Sequence, residues 1–126
     1  IRYIYKVENM ETTLMLDRSQ IEQVLINLLK NASEACLEQT CPEVIVSTHG
    51  DPEKHLFFLS VCDNGSGILP EVLDKIFVPF FTTKPTGSGI GLSLCKQIMN
   101  LHGGSISASR EIGKGSCFTL KFLCCE

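Results

Sequence analysis

The tightest constraint on the fold is one apolar stripe between residues 21 and 35. Ile21, Val24, Leu25, Leu28, Ala32 and Ala35 recur at helical spacing, and Asp17-x-x-Gln20 just ahead of them has the form of a capping box. A helix that is apolar on one side only must bury that side against another element. The rest of the chain supplies one. "IRYIYKVE" alternates as a strand does, and "TTLML" reads as a second, shorter strand. After the helix, which is expected to end before Cys41-Pro42, "EVIVSTHG" and "HLFFLSVCD" read as two strands joined by "GDPEK". "SISASRE" and "GSCFTLKFL" close the chain as a hairpin around "IGKG". A short helix is expected in "LPEVLDKIF", with Pro70 near its first position, and a long one in "IGLSLCKQIMNLHGG", stopped by Gly103-Gly104. This order predicts an α+β fold, with helices on one face of a mixed, mostly antiparallel sheet.

The 126 residues suffice for one domain with its own core, and there is no internal repeat, low-complexity tract or linker. A net charge of -3 without a Lys/Arg cluster argues against nucleic acid as a partner. No run approaches the ~18 apolar residues of a membrane span. The N-terminus lacks the apolar region of a signal peptide and starts abruptly, as if cut from a longer chain. The seven cysteines are odd in number, form no C-x-x-C and mostly sit in apolar runs. They read as buried free thiols in a reducing cytoplasm, not as disulfides or zinc ligands.

Three groups of residues are candidates for chemistry. Asn27, Asn31 and Glu34 form a polar stripe beside the apolar face of the first helix. Asn has no special helix propensity, so these amides need a use. Hydrogen bonding at the core edge is one; carbonyl ligation of a magnesium ion is the other. "DNGSG" then sets Asp63 at the end of an apolar strand, followed by Gly65 and Gly67. A carboxylate there can accept from a donor such as the adenine amino group, and glycines admit close approach of a planar base, although D-x-G-x-G also occurs in tight turns. Finally, "FVPFFTTKPTGSG" is an irregular segment of a length typical of lids, and Gly87, Gly89 and Gly91 lead into the second long helix. The glycines fit neither a Walker A loop nor a dinucleotide fingerprint, because Leu92 stands where a third glycine belongs. A generic anion site of backbone N–H groups at a helix start remains, beside the plainer reading of a glycine hinge.

In order and spacing these segments resemble the N, G1, F and G2 boxes of the catalytic and ATP-binding domain of sensor histidine kinases. The boxes are "NLLKNASEA", "DNGSG", "FVPFF" and "GSGIGL", and "QVLINLL" and "GKGSCFTLKF" extend the likeness over nearly the whole chain. The resemblance implies the two-layer α/β sandwich of the Bergerat (GHKL) ATP-binding fold, shared with gyrase, Hsp90 and mismatch-repair proteins. It implies ATP and Mg2+ as cofactors, with Asn31 as the metal-binding amide and Asn27 supporting the metal and phosphate region. Asp63 would read adenine, with Ser116 sharing its ordered water, while Gly65, Gly67 and Ile68 would shape the base pocket. Residues 77–89 would form the lid, anchored by Phe80 and Phe81 and carrying Thr82, Thr83 and Lys84. Gly87, Ser88, Gly89, Ile90, Gly91 and Leu92 would face the phosphates. The Thr-Thr-Lys lid resembles the nitrogen-sensor-like branch. One departure is Glu34, where many members carry a basic residue; Lys84, or Lys30 if its side chain wraps around, would supply the charge.

The resemblance also implies phosphoryl transfer to a histidine, with catalysis resting on Asn27, Asn31 and Lys84. None of His49, His55 and His102 lies in an acceptor-helix context, and each is expected to be a surface or capping histidine. Residues 1–126 are thus expected to be the ATP-binding part of a longer, cytoplasmic or inner-membrane receptor. Its dimerisation helices would present the phosphoacceptor, and a response regulator would receive the phosphoryl group. The domain alone is expected to be monomeric, free of membrane contact and unable to autophosphorylate. Three alternatives stay open: a hydrolytic ATPase of the gyrase or Hsp90 kind, a serine kinase on the same fold, and a module that binds partners without nucleotide. Against the first, Asn27 stands where those ATPases place a Glu to orient water.

Overall fold

A computed structural model describes residues 1–7, 14–68, 70–79, 91–111 and 115–124. Its elements in chain order are β1 (Arg2–Lys6), α1 (Arg18–Cys36), β2 (Glu43–Asp51), β3 (Leu56–Asp63), α2 (Pro70–Leu73), α3 (Gly91–Leu101), β4 (Ser105–Glu111) and β5 (Gly115–Leu123). Among the described residues, five strands form one sheet in the order β1-β2-β3-β5-β4. β1 runs parallel to β2, which the α1 crossover requires, and the other pairs are antiparallel. The expected mixed sheet, covered on one face by helices, is what the chain forms.

Alternation along each strand sends one set of side chains into the helical layer. Val44, Val61, Phe118, Leu120 and Phe122 meet Ile21, Val24, Leu28, Ala32 and Cys36 of α1 and Cys95, Ile98 and Met99 of α3. Leu28 and Met99 are fully buried; truncating a side chain so placed costs about 2–5 kcal/mol. Ala35, assigned to the apolar stripe, is instead exposed, and Cys36 takes the buried position. The segment "TTLML" shows no strand over residues 14–16, while Thr12 and Thr13 lie outside the described residues. Leu14 alone of this run packs on the core, while Met15 and Leu16 are exposed, so the apolar run marks one contact and not a strand.

The helix ends are closed by specific bonds. Asp17 Oδ1 accepts from Gln20 N–H at 3.1 Å, the first arm of the capping box. The returning arm comes from elsewhere: Asp17 N–H donates to His102 Nε2 at 3.0 Å. His102 Nδ1 meets the Ile98 carbonyl at 2.8 Å, which requires the proton on Nδ1 and leaves Nε2 as the acceptor. His102 closes α3, where Gly103 at φ 71° donates to Asn100 and Gly104 donates to Met99, the Schellman pattern. One histidine therefore joins the start of α1 to the end of α3. At the other edge, Ser33 Oγ donates to Leu29 O at 2.8 Å and accepts from Tyr3 Oη at 2.9 Å, tying β1 to α1.

Two cysteines overturn the free-thiol expectation. Cys62 and Cys117 are directly opposed in the β3–β5 ladder and form a disulfide, with Cα atoms 4.1 Å apart. They lie 55 residues apart in sequence, so only the strand register brings them together. With this bridge the cysteines no longer argue for a reducing compartment. Cys36 and Cys95 are buried free thiols as expected, Cys41 is exposed, and Cys125 lies outside the described residues.

Candidate functional site

The inward alternation of β3 ends on a carboxylate. Asp63 follows Val61 by two residues and occupies the same face, as the last residue of β3. Its Oδ1 accepts from Gly65 N–H and its Oδ2 from Ser116 Oγ–H, each at 2.9 Å. Ser116 is the register partner of Asp63 on β5, and both are buried. Two described bonds leave an ionised carboxylate with acceptor sites to spare for a ligand donor.

Glycines let three chain segments converge on that carboxylate. A Cβ on Gly65 would strike the Ala35 carbonyl of α1, and one on Gly115, at φ +92°, would strike the Asp63 carbonyl. The Gly65 finding sharpens the sequence reading: the residue is needed because a helix carbonyl backs onto it, whatever a base requires. Gly67 has φ +84° with ordinary contacts, so its requirement is conformational. Ile68 packs half-buried against the core, and its carbonyl accepts from Arg110 Nη1 at 3.2 Å. Cys36 lies close enough to feel Asp63: burial first, then the Asp63 charge, raise its thiol pKa. Burial raises that of Cys95, against an opposing hydrogen bond from Asn27.

The second cluster joins α1 to the first turn of α3. Asn27 Nδ2 points at the Gly91 carbonyl at 3.5 Å and the Cys95 sulfur at 3.7 Å, while Gln23 Nε2 approaches Asn27 Oδ1 at 3.5 Å. Asn31 is half-buried one turn further along, and Lys30 and Glu34 are exposed on the same helix. Gly91 and Leu92 open α3 and are half-buried. A magnesium ion fits this donor set by chemistry, since amide carbonyls are hard oxygen ligands. Among the described residues no cluster of His, Cys, Asp or Glu offers another metal site.

Phe80, Phe81, Thr82, Thr83, Lys84, Gly87, Ser88, Gly89 and Ile90 lie outside the described residues. The described start of that segment is fixed by Phe77, which meets Phe118 edge-on at 6.3 Å and lies 5.9 Å from Lys96 Nζ. A groove of about 430 Å³ beside it, lined by Phe77, Pro79, Ser93, Lys96, Gln97, Asn100 and Leu101, includes none of Asp63, Asn27 and Asn31.

Nothing in the sequence pattern marks Asn64, Arg110 or His102 as a site residue. Asn64 Nδ2 donates to Cys41 O at 2.8 Å, and its Oδ1 accepts from Glu43 N–H at 3.0 Å. Only register and turn geometry reveal such contacts. His102 is the capping histidine foreseen, although its partner on α1 was not. His49 stacks on Phe58 at 6.3 Å, and His55 sits in a turn at φ 54°.

Comparison with known proteins bears on this arrangement. Residues 16–124 match the model of the histidine kinase-, DNA gyrase B- and HSP90-like ATPase family. Sensor histidine kinase ZraS of Escherichia coli is 41% identical over 107 residues, covering 85% of this chain and 22% of the relative. Sensor protein FixL of Bradyrhizobium diazoefficiens is 39% identical over 105 residues, covering 83% and 21%. The chain thus spans about a fifth of the length of these curated relatives. The solved catalytic domain of histidine kinase ThkA superposes with a TM-score of 0.83 at 32% identity, over 97% of this chain and 78% of that one. ThkA has also been solved in complex with the response regulator TrrA, and matches there with a TM-score of 0.78 at 31% identity, over 96% of this chain and 33% of that one. Fold, box order and these likenesses agree: the chain belongs to the histidine kinase-, DNA gyrase B- and HSP90-like ATPase family, as a catalytic domain of the sensor histidine kinase kind.

Proposed function

We propose that this domain binds Mg-ATP and donates the γ-phosphoryl group to a histidine on a separate phosphoacceptor domain. The observation that carries the reading is the pairing of a buried, doubly held carboxylate at Asp63 with an asparagine, Asn27, laid against the first turn of α3. In this reading Asp63 accepts from the adenine amino group, and Gly65, Gly67, Ile68 and Ser116 shape its surroundings. Asn31, with Asn27 behind it, holds the magnesium ion, which when bound neutralises phosphate charge. The start of α3 at Gly91 and Leu92 faces the phosphates with N–H groups that the helix itself does not use. Glu34 cannot neutralise phosphate, so Lys84 or Lys30 supplies the cation. Phe80, Phe81, Thr82, Thr83, Gly87, Ser88, Gly89 and Ile90 complete the lid and phosphate contacts.

The dimerisation helices of a longer receptor are the proposed partner and source of the histidine. The complex formed by ThkA supports a response regulator as the later recipient. We assign the chain to the nitrogen-sensor-like branch and to the cytoplasm on resemblance alone; no helix among the described residues is long and apolar enough to cross a membrane. The test is transfer of label from γ-labelled ATP to an added phosphoacceptor domain. Transfer that Asn31→Ala abolishes, with little hydrolysis in the acceptor's absence, is the expected result. Steady turnover of ATP alone, abolished by the same substitution, would instead identify a hydrolase.

A further inference from the structure

The loop after Asp63 reads Asn64-Gly65-Ser66-Gly67-Ile68. Two glycines and a serine give it much conformational freedom to lose, so its order must come from contacts outside itself. Such contacts exist at both ends. At the start, Asn64 donates from Nδ2 to Cys41 O at 2.8 Å and accepts at Oδ1 from Glu43 N–H at 3.0 Å, while its own N–H reaches Glu43 O at 3.2 Å. At the far end, Arg110 Nη1 donates to Ile68 O at 3.2 Å. Arg110 pairs with Ser116 in the β4–β5 ladder, and Ser116 pairs with Asp63 across β5–β3. The guanidinium therefore leaves the sheet on the same rung as the Asp63–Ser116 pair.

We propose that Arg110 and Asn64 are positioning residues for base recognition, a two-point clamp that holds the Gly65–Ile68 loop in its ligand-ready shape before nucleotide arrives. The proposal rests on the reading of Asp63 as the adenine acceptor. A guanidinium on a half-buried edge-strand residue could have been solvated; here it is committed to one backbone carbonyl of that loop. Fixing a recognition loop in advance removes the ordering cost from the binding step.

The experiment is calorimetry on the 126-residue chain with Mg-ATP and with Mg-ITP, whose base lacks the amino group that Asp63 would accept. Wild type is expected to prefer ATP. Arg110→Met is expected to reduce that preference about tenfold, the effect of one good hydrogen bond, by weakening ATP and sparing ITP. Arg110→Lys, which keeps a donor, is expected to restore most of it. A purely structural contribution would lower the urea midpoint and both affinities without changing the ratio. An unchanged ratio in Arg110→Met would overturn the clamp while leaving Asp63 as the base reader. If wild type shows no preference, the reading of Asp63 falls, and the clamp with it. Should Arg110→Met not fold, Asn64→Ala is scored by the same ratio, with a reduced preference supporting the clamp and an unchanged one overturning it.

Discussion

Ser116 lies directly across the β3–β5 ladder from Asp63 and gives its hydroxyl hydrogen to Asp63 Oδ2 at 2.9 Å. Both side chains are buried, so neither can exchange this partner freely for water. Ser116→Ala leaves a buried carboxylate oxygen short of a donor. A loss of about 1–3 kcal/mol in urea unfolding is expected, together with weaker ATP binding by calorimetry. Unchanged stability would mean that water replaces the hydroxyl.

The two glycines of "DNGSG" should respond differently to alanine. At Gly65 the new Cβ would collide with the Ala35 carbonyl oxygen, which α1 cannot move cheaply. About 3 kcal/mol should be lost, the upper end of the cost of forcing atoms into a packed site, because the obstacle is backbone. At Gly67 the new Cβ would meet Gly115 O at 3.4 Å, an ordinary contact, and only the positive φ opposes it; about 1–2 kcal/mol is expected. Urea midpoints that ranked the two in reverse order would contradict the packing described.

Thiol chemistry should sort the cysteines by burial. Cys41 is exposed, whereas burial raises the pKa of Cys36 and Cys95 above the ordinary 9.0, with the Asp63 charge adding to the rise at Cys36. Only the thiolate is reactive, so a disulfide reagent at neutral pH should label Cys41 quickly and Cys36 and Cys95 only as the chain unfolds. Because the fold holds both buried thiols protonated, their contribution to stability is fully present below pH 9.0 and disappears as pH rises through the folded values. Rapid labelling of Cys95 in the folded chain would contradict its placement.

The Cys62–Cys117 bridge closes a loop with a sequence separation of 55. On the chain-entropy account, reducing it should lower stability by about 4 kcal/mol. Urea unfolding with and without reductant measures this, and Cys62→Ser should reproduce the reduced value. Equal midpoints under both conditions would show that the bridge does not stabilise the fold.

What the sequence made legible was local. Asp17 and Gln20 marked the helix start because a capping bond spans only three residues, and period-two alternation marked β1. What escaped it was set by register. Cys62 meets Cys117, and Asp63 meets Ser116, through a β3–β5 ladder whose partners there lie more than 50 positions apart, and the β4–β5 hairpin adds Arg110 to the rung of Asp63. The second arm of the Asp17 cap came from His102, 85 residues away, where the pattern suggested Gln20. "TTLML" misled because a short apolar run looks the same as a strand or as a core contact. The box residues Asn27, Asp63, Gly65 and Gly91 can be named from the sequence, but their mutual contacts cannot.

The central claim is that Asp63 is the base-reading group of a Mg-ATP site. Calorimetry with ATP and Mg2+ tests it most directly, comparing wild type with Asp63→Asn. The substitution keeps the side-chain shape and removes the charge that strengthens a hydrogen bond from an amino group. Wild type is predicted to bind, and the variant to bind at least about tenfold more weakly. Equal affinity in the two proteins, or no binding by wild type, would contradict the account.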